Sequence, residues 1–251
     1  MDLAQVGLLG GLAFFTGILS AIVGMAGGIT LLSGMLLVYD PLVAIPLHGA
    51  VQLVSNASRT WIQREYVDRK IVWWYSLLLL PAGFAGLAVA KQLAPGVARI
   101  LIGAFVLAAT WAPHALLLGT KPEQVGLRRR FILLGGAVGF LNTTIGATGP
   151  LIAPFFLNLG LPRQSLIGTK AASQTIAHLA KLVVFGVAGF AFAQYLAPLA
   201  LLSAATAAGT WVGSAILDRF SERSFLILYK IVLTAIALQL IVEELPGLVR
   251  C

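Results

Sequence analysis

Charge is what this sequence has least of. Only 10% of its 251 residues are Asp, Glu, Lys or Arg, while 59% are hydrophobic. A water-soluble domain carries about 25% charged residues, so this chain cannot cover a water-facing surface. Carboxylates are the scarcer sign, nine against seventeen Lys and Arg. One cysteine, Cys251, excludes a disulfide framework, a thiol pair or a cysteine metal site within the chain. The three histidines, His48, His114 and His178, have no acidic neighbours in sequence, a weak basis for a metal centre. No HExxH, no GxSxG and no carboxylate pair on one helix is present, and Glu243 and Glu244 lie far from His48 and His178. An intramembrane enzyme would need such a constellation, so neither an enzyme nor a cofactor is expected.

What the sequence does have is apolar length. Many runs approach or exceed the roughly 20 residues needed to cross a bilayer core. They do not alternate polar and apolar residues as a membrane β-barrel would. The fold class expected is therefore an all-α polytopic membrane protein, in a cell inner membrane. The net charge of +8 fits orientation signals in short loops better than nucleic-acid binding. The opening MDLAQVGLLGGLAFF lacks a basic n-region and is read as the first membrane segment rather than a cleaved signal.

Apolar segments fall at 3–23, 27–39, 42–62, 71–92 and 97–118, then at 131–147, 150–160, 162–181, 183–217 and 224–242. This corresponds to about 8–10 membrane segments. The second segment of each set is short. About 12 helical residues rise only about 18 Å, so each either spans with irregular ends or forms one arm of a re-entrant hairpin. The two sets correspond without a gap: Gly17 falls on Gly139, Gly24 on Gly146, Gly27 on Gly149, Gln52 on Gln174 and Arg59 on Lys181. Five residues further out of step, Gly86 falls on Gly213. This register indicates an internal duplication, with repeats at 1–120 and 121–251.

Equivalent loops differ in basic content. Arg59, Arg64, Arg69 and Lys70 crowd the first-half loop, whereas its counterpart after Lys181 reads LVVFGVAGFAF. Later, KQLAPG holds one Lys where LDRFSER holds two Arg. Loops of opposite basic content belong on opposite sides, so the repeats are expected to be inverted. Gln63–Lys70, Thr120–Arg130 and Asp218–Arg223 are then cytoplasmic, with both termini outside. Trp61, Tyr66, Trp73, Trp74 and Tyr75 read as an interfacial aromatic belt.

Two polar triplets interrupt the apolar runs. His48, Gln52 and Asn56 run i, i+4, i+8, as do Lys170, Gln174 and His178, so each makes a stripe along one helix face. A charge at the bilayer centre costs at least ~2.5 kcal/mol, so these stripes should face protein or a watery cavity. Hydrogen bonding between helices is the plain alternative for the amides. Lys170 has no acceptor role and no carboxylate on its segment, so a bound anion is its natural partner. His48 and His178 are candidate proton carriers near neutral pH. Arg59 and Lys181 sit at segment ends and are expected to snorkel, as is Lys230. Asp40, Arg163 and His114 read as interfacial.

Glycines mark where each set leaves helical geometry: Gly24, Gly27 and Gly28 in VGMAGGI, and Gly146 and Gly149 before Pro150 in IGATGPL. A helix starting beyond such a break presents free N–H groups and a partial positive charge, a site for an anion. Pro150 suits the first position of a new helix. Asn142, Thr143, Thr144 and Thr148 add donors at the second break, unless the hydroxyls bond back to helix carbonyls. Discontinuous helices at matching positions of inverted halves point to a transporter substrate site.

GILSAIVGMAGGITLLSGMLL with HGAVQLVSNASR, and GFLNTTIGATGPLIAPFFL with GTKAASQTIAHLAK, resemble the duplicated signatures of the TauE/SafE sulfite exporter family, also called the toluene-sulfonate uptake permease family. The resemblance covers nearly the whole chain and implies secondary transport of a sulfur-containing anion: sulfite, a sulfonate or an organosulfonate. A passive anion channel of the same architecture is the alternative. Beyond that anion the expected partners are membrane lipid, a coupling proton and, as an open option, a second copy in a homodimer.

Overall fold

The computed structural model describes residues 3–23, 26–117, 121–157, 159–216 and 222–246. The regular structure of those residues is helical, without strands. The helices are α1 (Leu3–Val23), α2 (Ala26–Met35), α3 (Pro41–Ile62), α4 (Arg69–Ser76), α5 (Leu79–Ala90) and α6 (Pro95–Trp111). They continue as α7 (Leu127–Thr144), α8 (Gly149–Leu157), α9 (Arg163–Val187), α10 (Leu196–Ile216) and α11 (Glu222–Val242).

Local chemistry sets several of the boundaries. Pro41 and Pro95 open α3 and α6, where a missing N–H costs nothing. The Asp68 carboxylate caps α4 by accepting from the N–H groups of Lys70 (2.9 Å) and Ile71 (3.2 Å), satisfying donors the first turn leaves open. At the end of α7 the Ile145 and Gly146 N–H groups both reach the Leu141 carbonyl. Gly146 has φ +94°, a left-handed geometry that favours glycine at a helix C-terminus.

Helices pair as α1 with α10, α5 with α7, α3 with α9 and α6 with α11. The first two pairs close on glycine. A Cβ on Gly17 would run into the Thr206 carbonyl, and one on Gly139 would lie 2.5 Å from the Leu79 carbonyl. Small residues let membrane helices approach this closely. α3 and α9 run antiparallel, with Gly49 against Lys181, Thr60 Oγ1 3.0 Å from Thr175 Oγ1, and Gln63 against Gly168. At the end of the molecule where α3 and α6 begin, Arg99 donates to Asp40 and Glu244 at 2.8 Å each, tying α6 to the start of α3 and the end of α11.

Among the described residues two stretches are long and apolar enough to cross a membrane unaided, Arg69–Ala90 and Phe192–Gly213. Gly7–Ser20 and Lys230–Val242 are shorter apolar helices. Other helices have the length without the apolarity: α3 and α9, at 22 and 25 residues, carry the polar stripes. α2 and α8 have 10 and 9 residues, and a rise of 1.5 Å per residue leaves each at about half of a 30 Å core. α9 corrects a boundary: it runs six residues past Lys181, so Lys181 is not at a helix end. Of the expected aromatic belt, Trp61, Tyr66 and Trp73 are exposed, but Tyr75 is wholly buried in the cluster around Phe131.

Candidate functional site

The polar stripes of α3 and α9 face one another. Their contact brings the His48 and His178 rings to 6.0 Å at 82°. Between the stripes lies a cavity of about 40 Å³ lined by Ser20, Gly28, Ile29, His48, Gln52, Asn56, Arg59, Ala147, Thr148, Gly149, Gln174 and His178. About 10–15 Å³ on this measure holds one water, so the space suits a few waters or one small polyatomic anion.

Both breaks contribute backbone. Gly28 and Ile29 come from the first turn of α2, and Thr148 and Gly149 from the start of α8. Each is a helix N-terminus with N–H groups that lack an intrahelical acceptor. Gly28 is there for proximity: a Cβ on it would stand 3.2 Å from Gln52 Nε2. The Asn56 amide donates to the Gln52 carbonyl at 2.9 Å. The lining thus gathers one guanidinium, three amides, two imidazoles and two helix N-termini, with no carboxylate. Donors aimed inward without a negative side chain match an anion in chemistry and charge.

Not every group around the cavity is satisfied by the protein. Among the described residues His178 Nδ1 has no hydrogen-bond partner, nor does Asn142 Oδ1 outside the lining, while His48 lies against the backbone of Gly28 and Gly146. Leaving such groups unpaired costs about 1–3 kcal/mol each, and water or ligand in the cavity is the available remedy for those that reach it.

Sequence-predicted residues divide into three groups. His48, Gln52, Gln174, His178, Gly28, Thr148 and Gly149 line the cavity together. Others stand outside it. Gly27 packs on Ser20 and the Thr16 carbonyl. Asn142 donates to the Ala177 carbonyl at 3.4 Å. The Thr143 hydroxyl lies within hydrogen-bond distance of the Gly83 carbonyl on α5 and of the Gly139 and Phe140 carbonyls of its own helix, and Thr144 donates back to the Phe140 carbonyl, as hydroxyls do in membrane helices. Gly146 presents its carbonyl to Lys181. Lys170 does not line the cavity but is an electrostatic neighbour of Arg59, which does. Gly24 lies outside the described residues.

Two cations differ from the sequence expectation. Arg59 lines the cavity rather than reaching only for the interface. Lys181 does not snorkel: it is 1% exposed, and its Nζ donates to the Gly146 carbonyl at 2.7 Å. Spacing held the signal for both. Arg59 continues the stripe 48, 52, 56 by three residues, and Lys181 continues 170, 174, 178 likewise, which keeps them on the same helix faces. The ion pairs among the described residues all involve Arg99, so Lys181 is buried with a single neutral acceptor. Effective penalties for such burial reach several kcal/mol per ion.

The family model described as Sulfite exporter TauE/SafE matches residues 9–240. No curated protein and no solved structure matches significantly. The chain belongs to the sulfite exporter TauE/SafE family and is a multi-pass helical membrane transport protein.

Proposed function

We propose that this TauE/SafE protein is a secondary carrier that binds a sulfur-containing oxyanion, sulfite or a sulfonate, in the cavity between the two helix breaks and moves it by alternating access. The observation that carries the reading is the convergence of Arg59, Gln52, Gln174 and the N-termini of α2 and α8 on one carboxylate-free space. Arg59 supplies the charge, and its planar fork suits an oxyanion. The amides and helix N-termini supply directional donors around the remaining oxygens.

The halves are read as inverted repeats. In support, α3 and α9 are antiparallel, and matching positions, Gln52 with Gln174, enter the same cavity. The pairing of α1 with α10 corresponds to that of α7 with α5. Substrate sites of inverted-repeat carriers lie at such a repeat interface, against half-helix N-termini. Transport then exchanges the side from which the cavity is reached. His48 and His178 are the candidate carriers of a coupling proton, being the titratable imidazoles of the lining.

Counterflow tests the carrier reading against a channel. Proteoliposomes loaded with unlabelled sulfite or sulfoacetate should transiently accumulate the radiolabelled anion. Uptake that merely equilibrates, without overshoot, selects the passive channel. A response to cations or neutral solutes alone removes the anion site altogether.

A further inference from the structure

Arg59 and Lys181 occupy matching positions, 122 residues apart, on two helices that pack antiparallel. The match extends to their surroundings. Arg59 has Lys170 as its electrostatic neighbour, and Lys181 has His48. Lys170 and His48 are themselves a matching pair. The pair Arg59 and Lys170 thus matches the pair Lys181 and His48 in sequence position, toward opposite ends of the antiparallel α3–α9 contact. The Arg59 and Lys170 end is partly exposed, whereas His48, His178 and Lys181 are buried.

We infer that Lys181 is the anion's second counter-ion, engaged in the conformation opposite to this one, and that in the present conformation the Gly146 carbonyl holds it in reserve. The inference rests on the carrier reading above. Lys181 has three N–H donors, and among the described residues one of them is used, on the Gly146 carbonyl. Beside it stand the His48 and His178 rings, 6.0 Å apart, with His178 Nδ1 unpartnered among the described residues, and Gly49 makes room for its stem, since a Cβ there would lie 2.7 Å from Lys181 Cδ. A neutral donor would cap Gly146 as well without a buried charge. A charge kept there finds its use when an anion arrives. Arg59 receives the anion at the partly exposed end, and Lys181 takes it over when the other end opens and Gly146 lets go. Each cation then serves one side of the membrane.

The charge and the cap can be separated. Lys181→Gln keeps a donor for Gly146 but removes the charge. Its affinity for sulfite or sulfoacetate in detergent should stay within about threefold of wild type, because Arg59 binds the anion in this state, while counterflow falls at least about tenfold. Lys181→Arg should restore exchange in part. A Gln variant that exchanges at the wild-type rate overturns the inference and leaves Lys181 a structural cap. A wild type that neither binds nor exchanges either anion removes the carrier reading and this inference with it.

A second measurement needs no substitution. A membrane-impermeant amine reagent is applied to each face of oriented vesicles, with modified lysines read by peptide mass spectrometry. Lys170 should react from one face and Lys181 from the other, and saturating sulfite should slow both. Reaction of Lys181 only from the face that reaches Lys170, or from neither face during turnover, overturns the inference.

Discussion

Arg59 on α3 and Lys181 on α9 are equivalent in sequence and opposite in circumstance. One borders the cavity, and the other is sealed against the carbonyl of a left-handed glycine. The two residues hold matching positions on their helices, so their different circumstances come from the helices packed around them, and the same substitution at each should have different effects.

The largest effect expected is from Arg59→Met, which removes the cavity's own cation. Truncating one partner of a buried charge-assisted contact costs about 2–5 kcal/mol, so sulfite affinity measured by calorimetry should fall by at least thirtyfold, by the same arithmetic. Unchanged affinity would show that the cavity's cation does not hold the substrate and would dissolve the contrast with Lys181.

Glycines at the two breaks should separate stability from binding. Gly146→Ala forces φ +94° on a residue with a Cβ and drives that Cβ to 2.7 Å from Leu32 Cδ2 and 2.9 Å from Ile45 Cγ1. Strain at such positions costs about 1–3 kcal/mol, visible as a lower melting temperature in detergent. Gly28→Ala meets only the mobile Gln52 amide, so it should melt near wild type and lose affinity instead. Equal melting losses would mean that the breaks are built alike.

A smaller effect is expected at Lys170, an electrostatic neighbour of Arg59 that does not line the cavity. Its removal in Lys170→Met should change affinity by about threefold, the scale of a partly exposed charge. A loss as large as that of Arg59→Met would move the binding site toward Lys170. Smallest should be Thr144→Val. It gives up a back-bond to the Phe140 carbonyl, worth about 0.5–1.5 kcal/mol, and should leave counterflow intact. A transport defect there would bring the threonines of the second break into the site.

Much of this was legible before any coordinates. Polar stripes at i, i+4, i+8 put His48 with Gln52 on one face of α3 and Gln174 with His178 on one face of α9, since helical periodicity decides which residues of a helix share a face, whereas the meeting of those faces with Gly28, Thr148 and Gly149 is a tertiary fact. The threonines were harder. Thr143 and Thr144 have the same donors whether they face a ligand or a carbonyl, and only the neighbouring backbone of α5 and α7 decides between them. Tyr75 was misplaced for a related reason: an aromatic near a helix end looks the same in sequence whether it points at lipid or, as here, into the Phe131 cluster.

The sequence by itself determined the helical membrane class and the family, because these depend on hydropathy and motif, which are local properties. Tertiary structure alone decided that Arg59 and not Lys170 borders the cavity, and that Lys181 is buried on Gly146. The physical reason is that the environment of a long cationic side chain is set by helices remote in sequence. Lys181 is sealed by α3 at Gly49 and by the end of α7 at Gly146, neither of which any pattern within α9 can specify.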